Sequence, residues 1–202
     1  MDNTALYKIG YGLYILTSRE GAKDNGCVIN TVLQVTSAPA LTGVITVNKK
    51  NFSHDLIART GKFNLSVLTT ETPFSVFENF GFKSGASVDK FAECQQDPPR
   101  SANGLIYLPK YINAWLSCEV KDIIDFGTHS MFRADIVDGQ TVGEADSVTY
   151  AYYQKFIKPR PQPAAKKGYR CSICNYVYEG ETLPADFICP ICKHGPSDFV
   201  KI

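Results

Sequence analysis

The chain has 202 residues, 21 basic and 20 acidic side chains, a formal net charge of +1, and 44% hydrophobic residues. That apolar share excludes a disordered chain, and the balanced charge lacks the basic footprint of a nucleic-acid-binding domain. No run of about 18 apolar residues is present to span a membrane, the opening MDNTALYKIGYGLY is not a secretory signal, and an odd count of seven cysteines fits reduced cytoplasmic thiols better than a disulfide framework.

In chain order, GLYILTS (12–18) reads as a strand, and Asn25-Gly26 before Cys27 reads as a turn. The stretch Asn30-Thr31-Val32-Leu33-Gln34-Val35-Thr36-Ser37-Ala38-Pro39 places polar residues among apolar ones. On a strand and turn these would hydrogen-bond the edge of a flat heteroaromatic ring, or simply form a polar strand edge. LTGVITVN (41–48) is a second strand, followed by Asn48-Lys49-Lys50-Asn51-Phe52-Ser53-His54, which opens a helix. Ser53 is the expected cap of HDLIART, which ends at Gly61. A helix start with lysines beside it suits a phosphate, though an ordinary cap would look the same. KFNLSVLT (62–69) is a third strand. Thr72 is the expected cap of PFSVFENF, with Pro73 in the first helical position and Gly81 after the end. WLSCEVKDI (115–123) and HSMFRADIV (129–137) complete the strands. Many strands and two short helices predict a mainly β barrel rather than a doubly wound sheet. No G-x-G-x-x-G follows a strand, no phosphate-binding G-x-x-x-x-G-K-S/T is present, and Gly10-Tyr-Gly12 reads as a turn. Cys118 alternates with Trp115 and Val120 as a core residue; Cys27 and Cys94 have no base beside them to make a nucleophile.

Residues 158–167, KPRPQPAAKK, contain three prolines and four basic groups and read as an extended linker. The charge divides there: residues 1–157 carry 14 basic and 16 acidic groups, the linker four basic and no acidic, and residues 168–202 three basic and four acidic. The linker's charge serves solubility or guides an acidic electron-transfer partner. The expected boundaries are 1–157, 158–167 and 168–202. The last 35 residues are too few to fold on an apolar core alone, and they hold Cys171, Cys174, Cys189 and Cys192 as C-x2-C, fourteen residues, C-x2-C. Each C-x2-C aims two thiolates at one point. Two of them complete a sulfur tetrahedron suited to zinc or iron, and the spacing does not separate those metals.

The residues around the ligands carry more. Tyr169, Tyr176, Tyr178, Leu183-Pro184, Phe187 and Cys189-Pro190 follow the pattern Y-x-C-x-x-C-x-Y-x-Y and L-P-x-x-F-x-C-P-x-C. This resembles the rubredoxin family over nearly all of 168–202 and implies one iron held by four cysteines and exchanging one electron at a time. Asn175 and Lys193 stand where the family usually has glycine, and His194 sits beside the second hairpin.

The N-terminal segment, in turn, resembles the flavin reductase-like family, the FMN-binding split barrels that include flavoredoxin, over about 5–155. The resemblance rests on the 30–39 stretch, on 48–54, on Phe80-Gly81-Phe82-Lys83-Ser84-Gly85 with Val88-Asp89-Lys90-Phe91, and on Gly127-Thr128-His129. It implies FMN, a homodimer, and reduction by NADH or NADPH. Asn30, Thr31, Gln34, Thr36 and Ser37 match the ring side of the flavin site. Asn48, Lys49, Asn51, Ser53 and His54 match its phosphate side, and Lys83, Ser84 and Gly85 match a nearby loop. His129 matches a G-D-H position tied to the nicotinamide or flavin, with Thr128 replacing Asp. A split barrel followed by a rubredoxin-like domain resembles the architecture of high-molecular-weight rubredoxins. The resemblance implies electron flow from reduced nicotinamide through FMN to the iron, with a flavodiiron protein reducing NO or O2 as acceptor. The alternative is a flavin reductase whose tail is a structural zinc ribbon.

Overall fold

A computed structural model describes residues 2–92, 97–159 and 168–202. Cys94 and linker residues 160–167 lie outside the described residues. The chain divides into two compact units, Met1–Lys158 and Pro159–Ile202. Among the described residues, no helix is long and apolar enough to cross a membrane.

The first unit is one antiparallel sheet of seven strands: β1 (Tyr14–Glu20), β2 (Lys23–Ile29), β3 (Val32–Gln34), β4 (Thr42–Asn48), β5 (Lys62–Leu68), β6 (Ile112–Asp125) and β7 (His129–Thr141), ordered β2-β1-β5-β6-β7-β4-β3. Alternation along β7 sends Ser130, Phe132 and Ala134 inward. Phe132 and Ala134 join Leu16, Cys27, Ile29, Ile45, Val47, Phe63, Leu65 and Cys118 in one buried cluster. Strands from both ends of the sheet order thus share a core, so the sheet curls round it. No ladder joins β2 to β3 among the described residues. Instead α1 (Phe52–Thr60) packs against β1, β2 and β4 and adds Ile57 to the core, filling the seam of the open barrel. A second cluster, including Leu13, Ile15, Leu68, Phe77, Phe80, Phe91, Ile106 and Trp115, is covered by α2 (Phe74–Phe77) and the turns near it.

Four local expectations are corrected. The cap of α1 is Asn51, with extended backbone and a side-chain oxygen that accepts the Ser53 amide; Ser53 is turned inward instead and is fully buried. Gly61 ends that helix in the left-handed region, φ 67, as its sequence position suggests. Thr72 does not cap α2: its hydroxyl donates to the carbonyls of Thr69, three residues back, and of Tyr111, and Pro73 takes the cap position. Gly81 does not terminate the helix but lies within the π turn Glu78–Phe82 that continues it. Finally, Asn25-Gly26 is not a turn. The hairpin turns at Gly21-Ala22, with Gly21 at φ 58 and Glu20 opposite Lys23, and Asn25-Gly26 falls in mid-strand.

The second unit contains a three-stranded antiparallel sheet, β8 (Tyr169–Cys171), β9 (Val177–Tyr178) and β10 (Phe199–Lys201), ordered β10-β8-β9. Phe187 anchors its aromatic packing, with ring centroids 4.8 Å from Tyr178, 5.4 Å from Phe199 and 6.3 Å from Tyr176.

Candidate cofactor and metal sites

In the second unit the four cysteine sulfurs lie within 4.8 Å of one another. Cys171 Sγ is 3.5 Å from Cys192 Sγ, and Cys174 Sγ is 3.5 Å from Cys189 Sγ. A disulfide would need about 2.05 Å. A tetrahedron with metal–sulfur bonds near 2.3 Å has sulfur edges of about 3.8 Å, so the set fits a metal.

The two halves repeat one hydrogen-bond pattern. The Cys171 amide donates to the Tyr176 carbonyl and the Asn175 amide to the Cys171 carbonyl; the Cys189 amide donates to His194 and the Lys193 amide to Cys189. Closing each turn requires a left-handed residue, and Asn175 (φ 64) and Lys193 (φ 62) adopt it despite their side chains. Backbone amides thereby reach sulfur: Tyr176 to Cys174, Ile191 and Cys192 to Cys189, and His194 to Cys192. Such donors stabilise thiolates and tune a bound metal. Cys171 and Cys189 are fully buried, whereas Cys174 and Cys192 are partly exposed, so the site has one edge open to the surface.

The proposed flavin residues spread along the β3–β4 ladder. Gln34 stands opposite Gly43, near the start of β4, while Asn48 ends that strand. The five residue steps from Gly43 to Asn48 span roughly 17 Å, a length suited to a ligand with a ring at one end and a phosphate at the other. Asn30 and Thr31 precede β3 and hydrogen-bond each other at 3.2 Å. Gln34 Nε2 donates to the Thr36 carbonyl, and Thr36 Oγ1 donates to the Ala40 carbonyl and accepts the Thr42 amide. Thr36 therefore organises the 36–42 turn with its own side chain, and Ser37 is exposed on that turn.

At the other end, the last residue of β4 meets the first of β7: Asn48 pairs with His129. His129 Nδ1 lies 3.0 Å from Thr128 Oγ1. His54 is held at both nitrogens, by Asp55 at 2.9 Å and by Ser130 at 2.9 Å. In the neutral ring, the carboxylate accepts from Nδ1–H and the Ser130 hydroxyl donates to Nε2. Lys49 pairs with Asp125, whose carboxyl is held below its usual range first by that bond and then by the Gly127 amide. Lys50 and Lys83 make no ion pair among the described residues.

Asn25, which sequence reasoning had assigned to a turn, brings two of these stretches together. Its Nδ2 donates to Ser53 Oγ at 2.7 Å, inside the first turn of α1. Its Oδ1 presses on Gly85, where an added Cβ would collide with it, and this buried oxygen has no hydrogen-bond partner among the described residues. Nothing local in the sequence signals this role, because Asn-Gly by itself favours a turn. The remaining proposed residues, Lys83 and Ser84, lead into this contact; Ser84 Oγ accepts the Ala86 amide at 3.3 Å. The residues present fit a flavin phosphate: a capped helix start, a close backbone approach at glycine and unpaired lysines.

The flavin reductase like domain family matches residues 6–159, and the rubrerythrin, rubredoxin-like domain family matches residues 169–200. The chain is 37% identical to a high molecular weight rubredoxin of Moorella thermoacetica, covering 100% of both chains. It is 35% identical to a ferric-chelate reductase (NAD(P)H) of Archaeoglobus fulgidus, over 78% of this chain and 92% of that one. Among solved structures, a putative flavin reductase of Haemophilus somnus shares the fold, with a TM-score of 0.64 and 19% identity over 73% of this chain and 90% of that one. With a flavin reductase-like barrel followed by a rubredoxin-like four-cysteine unit, the chain belongs to the flavin reductase-like family, in the arrangement of the high-molecular-weight rubredoxins.

Proposed function

We propose that this chain is an FMN-dependent oxidoreductase that takes electrons from NADH or NADPH and delivers them through an iron held by Cys171, Cys174, Cys189 and Cys192. The observation that carries this reading is a four-sulfur site, one edge open, in the same chain as a flavin reductase-like barrel. Bound FMN supplies the exchange between two-electron hydride chemistry and single electrons, and iron supplies a one-electron carrier. The residues do the rest. Asn30, Thr31 and Gln34 line the ring end, and Asn48, Asn51 and Ser53 the phosphate end, with Lys83, Ser84 and Gly85 across from them. His129, opposite Asn48, orients the nicotinamide or flavin edge. The open sulfur edge at Cys174 and Cys192 is the exit toward a protein acceptor, for which a flavodiiron NO or O2 reductase suits a one-electron donor.

The barrel works as a homodimer in this reading. Leu33, Val35, Ile123, Ile124, Phe126 and Val137 are all half or more exposed large apolar groups or close to it, from 45% to 62%, and a second copy would cover them. The setting is cytoplasmic, where the thiols remain reduced until they bind metal.

Anaerobic mixing with NADH and, separately, NADPH tests the electron route. Flavin bleaching followed by loss of the ferric–thiolate bands is expected. Flavin reduction with one zinc per chain and no iron would support the zinc-ribbon alternative instead. Replacing Phe126 with Glu should convert the dimer to monomer in sedimentation.

A further inference from the structure

Residues 81–89 form a loop with a narrow neck. On one side of the neck, Asn79 Nδ2 donates to the Lys90 carbonyl at 2.8 Å. On the other, Lys90 Nζ donates to the Phe80 carbonyl at 3.1 Å, and the Phe80 and Phe91 rings pack with centroids 5.4 Å apart. Lys90 also donates to the Gly26 carbonyl at 2.8 Å, which ties the neck to β2. Gly26 itself leaves room for the Phe80 ring, which lies 3.1 Å from where its Cβ would be.

Lys90 is only 6% exposed and bonds no carboxylate among the described residues. A buried lysine without an anionic partner is rare. Burial pulls its pKa below the usual lysine value; the nearby Cys27 thiol opposes that shift and Lys83 adds to it. The tip of the same loop rests on Asn25 at Gly85, and Asn25 bonds Ser53 in α1. Asn25 is 1% exposed, and its Oδ1 touches the loop at Gly85 but has no hydrogen-bond partner among the described residues. Two adjacent β2 residues, Asn25 by side chain and Gly26 by carbonyl, thus hold the loop at its tip and at its neck.

We propose that Asn25 and Lys90 are positioning residues for the phosphate end of the flavin, fixing the 81–89 loop against β2 and the first turn of α1. This rests on the FMN reading above. The loop delivers Lys83 and Ser84 to the helix start only while both ties hold. An anion between them also supplies the negative charge that buried Lys90 lacks. Neither residue is assigned contact with the flavin.

The test compares FMN with riboflavin, which lacks the phosphate, by fluorescence titration of the iron-loaded full chain stripped of flavin. Asn25→Ala, Lys90→Met and Gly85→Ala are each expected to weaken FMN binding roughly ten- to hundredfold. Riboflavin binding should stay within about twofold of wild type, because only phosphate contacts would be lost. An unchanged FMN-to-riboflavin ratio in the variants, whether because neither affinity falls or because both fall together, would overturn the positioning role. A wild type that binds the two ligands equally would instead sink the phosphate-site reading, and the inference with it. Should Lys90→Met fail to fold, Asn25→Ala decides the matter, since Asn25 belongs to neither apolar core cluster and is assigned no contact with the flavin.

Discussion

In the first unit, Phe63, Phe132, Ile15, Leu16, Ile45, Leu56 and Ile57 are among the side chains with almost no exposure. In the described part of the second, the only buried side chains with apolar character are Cys171 and Cys189, two of the four proposed ligands. The barrel's stability comes from removing large apolar groups from water. In the tail, half-covered aromatics surround the four cysteines, so a metal bound there would stand where a core should be. One chain thus carries a unit with a large apolar core of its own and another whose buried side chains are candidate metal ligands.

That contrast predicts separable failures. The largest effect is expected from metal removal or from Cys189→Ser. Either should unfold the tail outright, because structural metal binding at such sites is worth on the order of 10 kcal/mol. FMN should remain bound and far-UV signal from the barrel should persist; loss of flavin together with the metal would show that the units are not independent. In the other direction, Phe132→Ala should destabilise the barrel by about 3–5 kcal/mol. Calorimetry should show the barrel transition moving down while the temperature of iron release stays put.

Smaller changes sharpen the comparison within each unit. Lys193 occupies a left-handed position at φ 62, so Lys193→Gly should stabilise the tail by about 1 kcal/mol. A higher urea midpoint for loss of the ferric–thiolate bands would register this, and a lower one would mean that the Lys193 bond to the Pro190 carbonyl matters more. Cys118 gives the smallest signal. Burial pushes its thiol from 9.0 up to about 12. A raised pKa favours the folded state below the unfolded value and loses that advantage as pH climbs from about 9 toward about 12. The wild-type barrel should therefore lose stability faster than Cys118→Ala over that range, by at most about 1.4 kcal/mol per pH unit. Parallel melting curves for the two proteins would show that the thiol is not linked to folding.

The tail was the more legible part of the sequence, for a physical reason. Four thiolates at fixed spacing must converge, and both left-handed turns fall where Asn175 and Lys193 stand. In the barrel, strands β1, β4 and β5 were readable as β-prone apolar runs bounded by turn formers. β2 was not: its centre is Asn-Gly, a pair whose local preference is a turn. Tertiary packing overrides that preference, since Gly26 makes room for Phe80 and Asn25 links loop to helix. The caps were misassigned for a related reason. Ser53 and Thr72 have the right chemistry for capping, but both hydroxyl groups are engaged elsewhere, by Asn25 and by the Thr69 and Tyr111 carbonyls. The candidate flavin residues were named from resemblance, and much of their polar capacity is engaged within the protein, as at Thr36, Lys49 and His54.

A barrel sealed by a helix has a hinge line that a ladder-closed one lacks. Because α1 fills the seam between the two ends of the sheet, β2 and the β3–β4 hairpin, that seam can part without breaking any strand pairing, at a free-energy cost below that of global unfolding. The residues at the start of α1 sit on this line, so the phosphate end of the site would breathe before the rest of the barrel does. Amide hydrogens of Leu56 and Ile57 should then exchange faster than those of Phe63 and Leu65 in β5, and a ligand that clamps the helix start should slow the first pair selectively.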